Sequence, residues 1–472
     1  MPVPVLSVAQ MCQWEAATWA AGRSVAEVIA RVGGQLARRV RALTREGDSV
    51  LVLSGPGHNG QDAAAIAPHL ADRRIELLEL GDPVARQPEL EAALERRPAL
   101  VVDGLFGIGL KRPLTAAWAA FVGTVNRAGQ PVLAVDVPSG LNADTGEAVG
   151  AAIQAQWTLT VGAPKTGLLA TQAAPLVGRL EVMTDVGLVP CPVSGDLQWT
   201  LPVDFRDYPP PRPADGHKGT FGHLIILAGS LGFHGAAVLA ARGAQRARPG
   251  LISVFTPEAV YVPVAAQLQA VMVHPWQPAT RWPENATAMV VGPGLADPEL
   301  PGGLSHAAQW WWREARFPIL CDASALGWLQ RTESSSPGQR ILTPHPGEAA
   351  RLLRASTAEV EADRCGALRE LARVYGADWI VLKGRHTAIG GREGPVFINP
   401  SGNPGLAQGG SGDALAGYLG GLLAQPALQT DLLTALRFGV WQHGATADAL
   451  TSRRPNWIVE DLVDGLGEVT AD

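Results

Sequence analysis

NPGLAQGGSGDALAGYLGGLLAQ, residues 403–425, sets a glycine-rich turn directly against an apolar helical stretch. The pattern predicts a helix opening at Gly410, Ser411 and Gly412, whose backbone N–H groups lie at its positive end. Asp413 falls in the same turn. Amides that cradle a transferring phosphoryl group, beside a carboxylate that takes the proton of the attacking hydroxyl, make a phosphoryl-transfer site. Asp413 is the candidate base. A plain glycine turn capped by an aspartate is the competing structural explanation.

Around this turn, the second half of the chain alternates short apolar runs with longer Ala/Leu/Arg-rich stretches. Strands are predicted at HLIILAGS (223–230), LISVFTP (251–257), AMVVGPG (288–294), PILCDASAL (318–326), RILTPH (340–345) and WIVLKG (379–384). The first half has the same rhythm at SVLVLSG (49–55), ALVVDGLFG (99–107), PVLAVDVPSG (131–140) and WTLTVG (157–162), with helix-like stretches at 61–72 and 115–128. Continuous apolar strands separated by helices predict parallel sheets covered on both faces. The expected class is α/β with two three-layer domains. Between them, DFRDYPPPRPADGHK (204–218) concentrates proline and charge. Proline cannot donate a backbone hydrogen bond and favours extended chain. The expected domains are 1–208 and 217–472, with 209–216 as a Pro-rich linker.

Composition excludes several classes. With 47% hydrophobic and 17% charged residues, the chain has an ordinary globular balance. A net charge of -6 offers no basic footprint for nucleic acid. The four cysteines, Cys12, Cys191, Cys321 and Cys365, are far apart and form neither a zinc nor a disulfide pattern. The N-terminal residues lack a basic start followed by an apolar run, and no apolar stretch reaches the ~20 residues of a membrane span. A cytoplasmic protein that binds neither nucleic acid nor membrane is expected.

In the first half, SGPGHNGQDAA (54–64), VVDGLFGIGLKRPL (101–114) and AVDVPSGLNADTG (134–146) each place a glycine-containing loop at a strand end. Ligands of open α/β sheets bind outside the carboxyl ends of the strands. Asn59, Asp62, Asp103, Asp136 and Ser139 are therefore expected to converge, although a helix N-cap explains any one aspartate as well. In the second half, His345 sits between two prolines in LTPHPGEAARLL (342–353). Lys383 and Arg385 follow a strand in VLKGRHTAIG (381–390), suited to a nucleotide phosphate. The helix WQHGATADAL (441–450) reads as packing. Of the run Trp310, Trp311 and Trp312, at least one is expected to be exposed, because adjacent helical residues diverge.

These blocks carry a resemblance. The first half resembles the NAD(P)H-hydrate epimerases, marked by G-x-G-N/H-N-G-G-D, D-x-L-F-G-x-G, D-x-P-S-G-L and A-P-K-x-G; all four occur in order between residues 55 and 167. The second half is similar to ribokinase-like enzymes, and more narrowly to ADP/ATP-dependent NAD(P)H-hydrate dehydratases. Their blocks H-K-G, G-P-G, D-A-x-A-L, T-P-H-P-G-E, K-G and G-G-x-G-D-x-L-A-G run in order from 217 to 417. The resemblance implies a Rossmann-like epimerase fold followed by a ribokinase-like fold. It implies a potassium ion near Asn59, Asp103 and Ser139, and hydrated dinucleotide against His58, Asn59, Gly60, Gln61 and Asp62. The same ligand would meet Gly107, Ile108, Gly109, Leu110, Lys111, Arg112 and Pro113. Asp136 and Lys165 are its candidates for ring contact or proton transfer.

In the second half the resemblance implies that Ala236, Gly294, His345 and Asp413 meet the hydrated nucleotide. Lys383, Gly384, Arg385, His386, Thr387 and Gly412 would meet the adenine nucleotide. The implied activity is repair of hydrated NADH and NADPH: epimerisation of R and S hydrates, then dehydration of the S epimer with ADP and Mg²⁺, releasing AMP and phosphate. A homo-oligomer is expected. Three departures stand out: Gln61 replaces the second glycine of the first loop, and DASALG has Ser324 and Gly327 where Asp and Asn are common. Two rival readings remain, a small-molecule kinase for a vitamin hydroxyl and a non-catalytic binding module in the first half.

Overall fold

The computed structural model describes residues 2–110, 112–332 and 336–471. Lys111, one of the expected ligand contacts, lies outside the described residues. By its internal contacts the chain divides into one compact unit of Val3–Gly195 and another from Asp196 on.

The first unit is built on six parallel strands: β1 (Ser49–Ser54), β2 (Arg74–Glu79), β3 (Leu100–Gly104), β4 (Val132–Val135), β5 (Trp157–Val161) and β6 (Arg179–Met183). Their order is β2-β1-β3-β4-β5-β6. Alternate residues of a strand face opposite sides, and here both sides are apolar. Val50, Val52, Val102 and Leu133 join Val28, Val32, Leu36 and Val40 of the helix Val25–Leu43 in one core. Leu51, Leu53, Val101 and Ala134 join Leu90, Phe121 and Val122 in another. This is the expected three-layer arrangement. The edge strand β2 was not predicted: its residues Arg74, Glu76 and Glu79 are exposed, so no continuous apolar run marks it. The helix expected over 61–72 is instead His58–Ala64 followed by a short turn Ala67–His69, broken at Pro68.

The second unit orders its strands β7-β16-β15-β14-β13-β12-β11-β8-β9-β10. They are β7 (Leu197–Trp199), β8 (His223–Leu227), β9 (Leu251–Pro257), β10 (Met272–Trp276), β11 (Ala288–Val291), β12 (Ile319–Cys321), β13 (Arg340–Leu342), β14 (Trp379–Leu382), β15 (Ala388–Gly390) and β16 (Val396–Ile398). All pairs from β10 to β14 are parallel, and β14-β15 and β15-β16 are antiparallel. On one face the helix Ser411–Leu423 packs against His234–Ala247 with almost no side chain between them. A Cβ at Gly417 would overlap the Ala240 carbonyl, and one at Gly243 the Ala414 carbonyl. The glycine and alanine content of both helices thus lets the phosphoryl-loop helix seat deeply on its neighbour. The helix Leu432–Arg453, which contains 441–450, is largely buried, as a packing helix should be. Trp312 is buried and Trp310 half-exposed.

The domain boundary differs from the expected one. Residues 196–208 belong to the second unit: β7 pairs with β16, and Trp199 and Phe205 are core residues. Asp204 bonds the buried Arg437 guanidinium at 2.8 Å, and that guanidinium lies 4.0 Å over the Phe397 ring. Tyr208 packs against Phe438. Proline richness marks where the chain lacks regular hydrogen bonding, not where packing stops. The following stretch, 209–215, is uniformly exposed.

Candidate active sites

In the first unit the loops after β1, β3, β4 and β5 surround a cavity of about 670 Å³. Its lining includes Glu15, His58, Asn59, Asp62, Phe106, Gly107, Ile108, Gly109, Leu110, Arg112 and Asp136. The strand-end expectation therefore brings most of its residues together. Gln61 and Pro113 are exposed and do not line the cavity. Gly60 serves the backbone: a Cβ there would overlap the Gly55 carbonyl.

Behind Asp136, Lys165 is nearly fully buried. Its ammonium donates to Asp136 Oδ1 at 2.5 Å, Thr160 Oγ1 at 3.0 Å and the Val161 carbonyl at 2.9 Å. Asp136 Oδ1 also accepts from Thr160 Oγ1 and the Val161 amide, each at 3.0 Å. Asp136 holds a left-handed φ of 63°, uncommon for a residue with a side chain and often found at functional sites. Thr160 was missed from the sequence because it reads only as an inward-facing strand residue.

Beside this pair, Ser139 donates to Asp103 Oδ1 at 2.6 Å, and its amide donates to Oδ2 at 2.8 Å. The Phe106 amide donates to Ser139 Oγ at 2.8 Å, and Asn59 Nδ2 donates to the Phe106 carbonyl at 3.0 Å. Asn59, Asp103 and Ser139 thus meet around one peptide. Burial pushes Asp103 up to about 6 despite the bonds from Ser139 and Leu105. The Asn59 Oδ1 atom is buried without a hydrogen-bond partner. An orphaned amide oxygen beside a buried carboxylate fits a hard monovalent cation, which prefers oxygen ligands. Among the described residues, no cluster of three His, Cys, Asp or Glu side chains suits a metal ion.

In the second unit Asp413 lies in the first turn of Ser411–Leu423, opened by Gly410 at φ 95°. Burial and the neighbouring Asp322 raise its pKa to about 6, against the opposing pull of Lys383. Lys383 donates to Asp322 Oδ1 at 2.8 Å and lies 4.0 Å from Glu348. A Cβ on Gly412 would sit 3.5 Å from the same ammonium. Burial opposes the Lys383 charge, but Asp322 and Glu348 overcome it and hold the pKa above the ordinary lysine value. Thr343 donates to Asp322 Oδ1 at 2.7 Å. Asp322 and Glu348 lie inside DASALG and TPHPGE but were not singled out. A strand-end Asp and a glutamate three residues after His345 were the available signals.

His345 caps the helix Pro346–Leu353, its Nδ1 accepting from the Gly347 and Glu348 amides, while Glu348 accepts from the His345 amide. Its ring is half-exposed, and Nε2 lies 3.6 Å from Glu348 Oε1. Gly294 and Ala236 are adjacent: a Cβ on Gly294, at φ 66°, would overlap the Ala236 methyl and the Phe233 carbonyl. Gly384 and Arg385 are exposed beyond β14, and Thr387 donates back to the Gly384 carbonyl at 3.1 Å. His386 turns its ring onto Trp199, 5.3 Å between centroids, and burial lowers its pKa to about 3. It braces the turn as a neutral ring.

Fold and sites together define a two-unit α/β protein whose second unit is of the ribokinase-like class. Residues 18–83 and 76–167 match the YjeF-related protein N-terminus, and residues 224–464 match the NAD(P)H-hydrate dehydratase family. The bifunctional NAD(P)H-hydrate repair enzyme of Gloeobacter violaceus is 36% identical, covering 95% of this chain and 94% of the relative. That of Escherichia coli K12 is 33% identical, over 92% and 86%. The crystal structure of the ADP/ATP-dependent NAD(P)H-hydrate dehydratase from Bacillus subtilis, co-crystallised with ATP/Mg²⁺, is 33% identical at a TM-score of 0.51. The match covers 57% of this chain and 95% of that one. The chain belongs to the family of bifunctional NAD(P)H-hydrate repair enzymes. No helix among the described residues is long and apolar enough to cross a membrane.

Proposed function

We propose that the first unit interconverts the R and S hydrates of NADH and NADPH, and that the second dehydrates the S epimer with ADP, releasing AMP and phosphate. The observation that carries this reading is Asp413: a half-buried carboxylate with a pKa near 6, in the first turn of a glycine-opened helix beside Lys383. A base poised near neutrality takes the hydroxyl proton while the oxygen attacks the terminal phosphorus. The amides of Gly410 to Gly412 face the transferring group. Lys383, Gly384, Arg385 and Thr387 hold the adenine nucleotide, with His386 supporting their turn. Ala236, Gly294 and His345 hold the hydrated ring. Phosphate then leaves, the neighbouring ring carbon loses a proton to water, and the ring double bond is restored, which is how a kinase-like site performs a net dehydration. Mg²⁺, when bound with the nucleotide, neutralises phosphate charge.

In the first unit, His58, Asn59, Asp62 and the 107–112 loop hold the substrate, and Asp136 and Lys165 order its ring. Asn59, Asp103 and Ser139 would hold potassium, which offsets the buried Asp103 charge. The protein works in the cytoplasm as a homo-oligomer. The test is to incubate mixed hydrated NADH epimers with the protein, with and without ADP, and follow recovery of the reduced-nicotinamide absorbance. Complete recovery with ADP, with AMP and phosphate formed, is expected. A stable phosphoester in place of NADH would make the second unit a kinase. Recovery that stops at the S fraction would remove the epimerase.

A further inference from the structure

Lys165 cannot easily serve as the mobile proton donor of the first unit. An ammonium has three hydrogens, and here each has a partner: Asp136, Thr160 and the Val161 carbonyl. The pair is fixed, and drawing a proton from it would strand a charge in a buried site.

Two other carboxyls line the same cavity. Asp62 lies on the helix His58–Ala64, three residues beyond Asn59. Glu15 lies on the helix Val8–Ala20, whose Met11, Cys12, Glu15 and Trp19 all line the cavity along one face, as helical spacing requires. Glu15 is half-buried on the wall of a pocket that also contains Asp62 and Asp136. Three carboxyls therefore line one cavity, and the ammonium behind them is committed to Asp136. His58 and Arg112 line the same space, and both are exposed.

We infer that Glu15 and Asp62 act together as a carboxyl pair that shares one proton and delivers it to the substrate during epimerisation. The inference rests on the epimerase reading of the first unit and deepens it. Like charges confined together cannot both ionise easily, so one proton stays with the pair. Burial, then Asp136, then Glu15 raise Asp62 to about 8, with Lys165 opposing. Burial and Asp136 raise Glu15, with Lys165 and His58 opposing. At neutral pH Asp62 therefore carries the proton.

The substrate carbon to be inverted bears a hydroxyl and is bonded to the ring nitrogen. The protonated carboxyl gives its hydrogen to that hydroxyl. The C–O bond breaks, water leaves, and the nitrogen lone pair forms a C=N bond. Water then adds to either face of the carbon and returns its extra proton to the carboxylate. No oxidant or reductant is needed, and the enzyme ends as it began. The buried Asp136 carboxylate, fixed by Lys165, supplies negative charge near the transient cation.

The test compares wild type, Glu15→Gln, Glu15→Asp and Asp62→Asn. Epimerisation of hydrated NADH is followed across pH, and ADP-dependent dehydration of the pure S epimer reports on the intact chain. Wild-type kcat/KM for epimerisation should fall as pH rises through about 8. Asp62→Asn should lose about 10²–10⁴-fold, the usual worth of a general acid. Glu15→Gln removes a charge that raises Asp62, so the alkaline fall should move to lower pH, which a merely structural glutamate would not cause. Glu15→Asp keeps the carboxyl and should stay nearer wild type; it also serves if Glu15→Gln does not fold. A wild type that does not epimerise at all overturns the epimerase reading itself. A wild type that does, with Asp62→Asn at full rate, the Glu15→Gln alkaline fall unmoved, or the Glu15→Asp fall displaced as far as that of Glu15→Gln, overturns the carboxyl pair alone.

Discussion

Lys383 donates to Asp322 Oδ1 at 2.8 Å, and a Cβ built on Gly412 in the phosphoryl loop would sit 3.5 Å from the same ammonium. The two residues come from different strand ends, after β14 and β12, and both act on Asp413, whose pKa burial raises first of all. Lys383 pulls the Asp413 pKa down, and Asp322 and Glu348 push it up.

Opposite shifts should follow from the two partners. Lys383→Met removes the lowering influence, so the acid limb of the dehydration rate should move to higher pH. Asp322→Asn removes a raising influence, so the limb should move to lower pH, while the lysine loses its anchor and the KM for ADP rises. A pH series of kcat/KM for each variant checks both directions. Limbs that move together would break the triad as described.

Asp413 itself sets the position of that limb. A general base works deprotonated, so dehydration should rise with pH through about 6 and then level off. Asp413→Asn should cost about 10²–10⁴-fold and leave a residual rate without that limb. Epimerisation by the same variant should be unchanged, measured on the R hydrate without ADP.

The reach of the sequence was uneven for identifiable reasons. GGSGD announces both a helix start and a carboxylate, because glycine turns and apolar periodicity are local signals. Asp322 and Glu348 are not local: their meaning depends on Lys383, 61 residues from one and 35 from the other, and only the fold brings them together. Glu15 reads as one polar residue on an amphipathic helix, and nothing in its neighbours points to a cavity. The edge strand β2 and the three-residue strand β7 lack the double-sided burial that makes interior strands conspicuous. Proline content misplaced the boundary because Asp204 pairs with Arg437, 233 residues away.

That pairing gives a prediction about truncation. A chain starting at residue 196 keeps β7, Trp199, Phe205 and the Asp204–Arg437 pair; one starting at 214 loses all four. Removing one partner of a buried ion pair costs about 3–5 kcal/mol, and here core aromatics go with it. Fragment 196–472 should melt cooperatively, and fragment 214–472 should melt lower or aggregate. In the full chain, Asp204→Ala should itself lower the melting temperature of the second unit. Equal melting of the two fragments would return the boundary to the proline segment.

Potassium should act through Asp103. Burial opposes its charge, and the nearby Asn59 Oδ1 lacks a partner, so the site without a cation holds a poorly compensated carboxylate. A ligand that binds only the folded state stabilises it by mass action. Adding potassium should raise the melting temperature of the wild type, and a bulky organic cation at equal ionic strength should not. Asp103→Asn removes the buried charge and keeps an oxygen for Ser139 Oγ and the Leu105 amide, losing only the bond from the Ser139 amide, which its NH2 cannot accept. It should therefore fold, lose the potassium-dependent rise and lose epimerisation, while dehydration of the S epimer continues. If Asp103 only caps the turn through the Leu105 amide, which it accepts at 3.2 Å, the loss should be ~1 kcal/mol of stability with little activity. A potassium response that survives in Asp103→Asn would place the cation elsewhere.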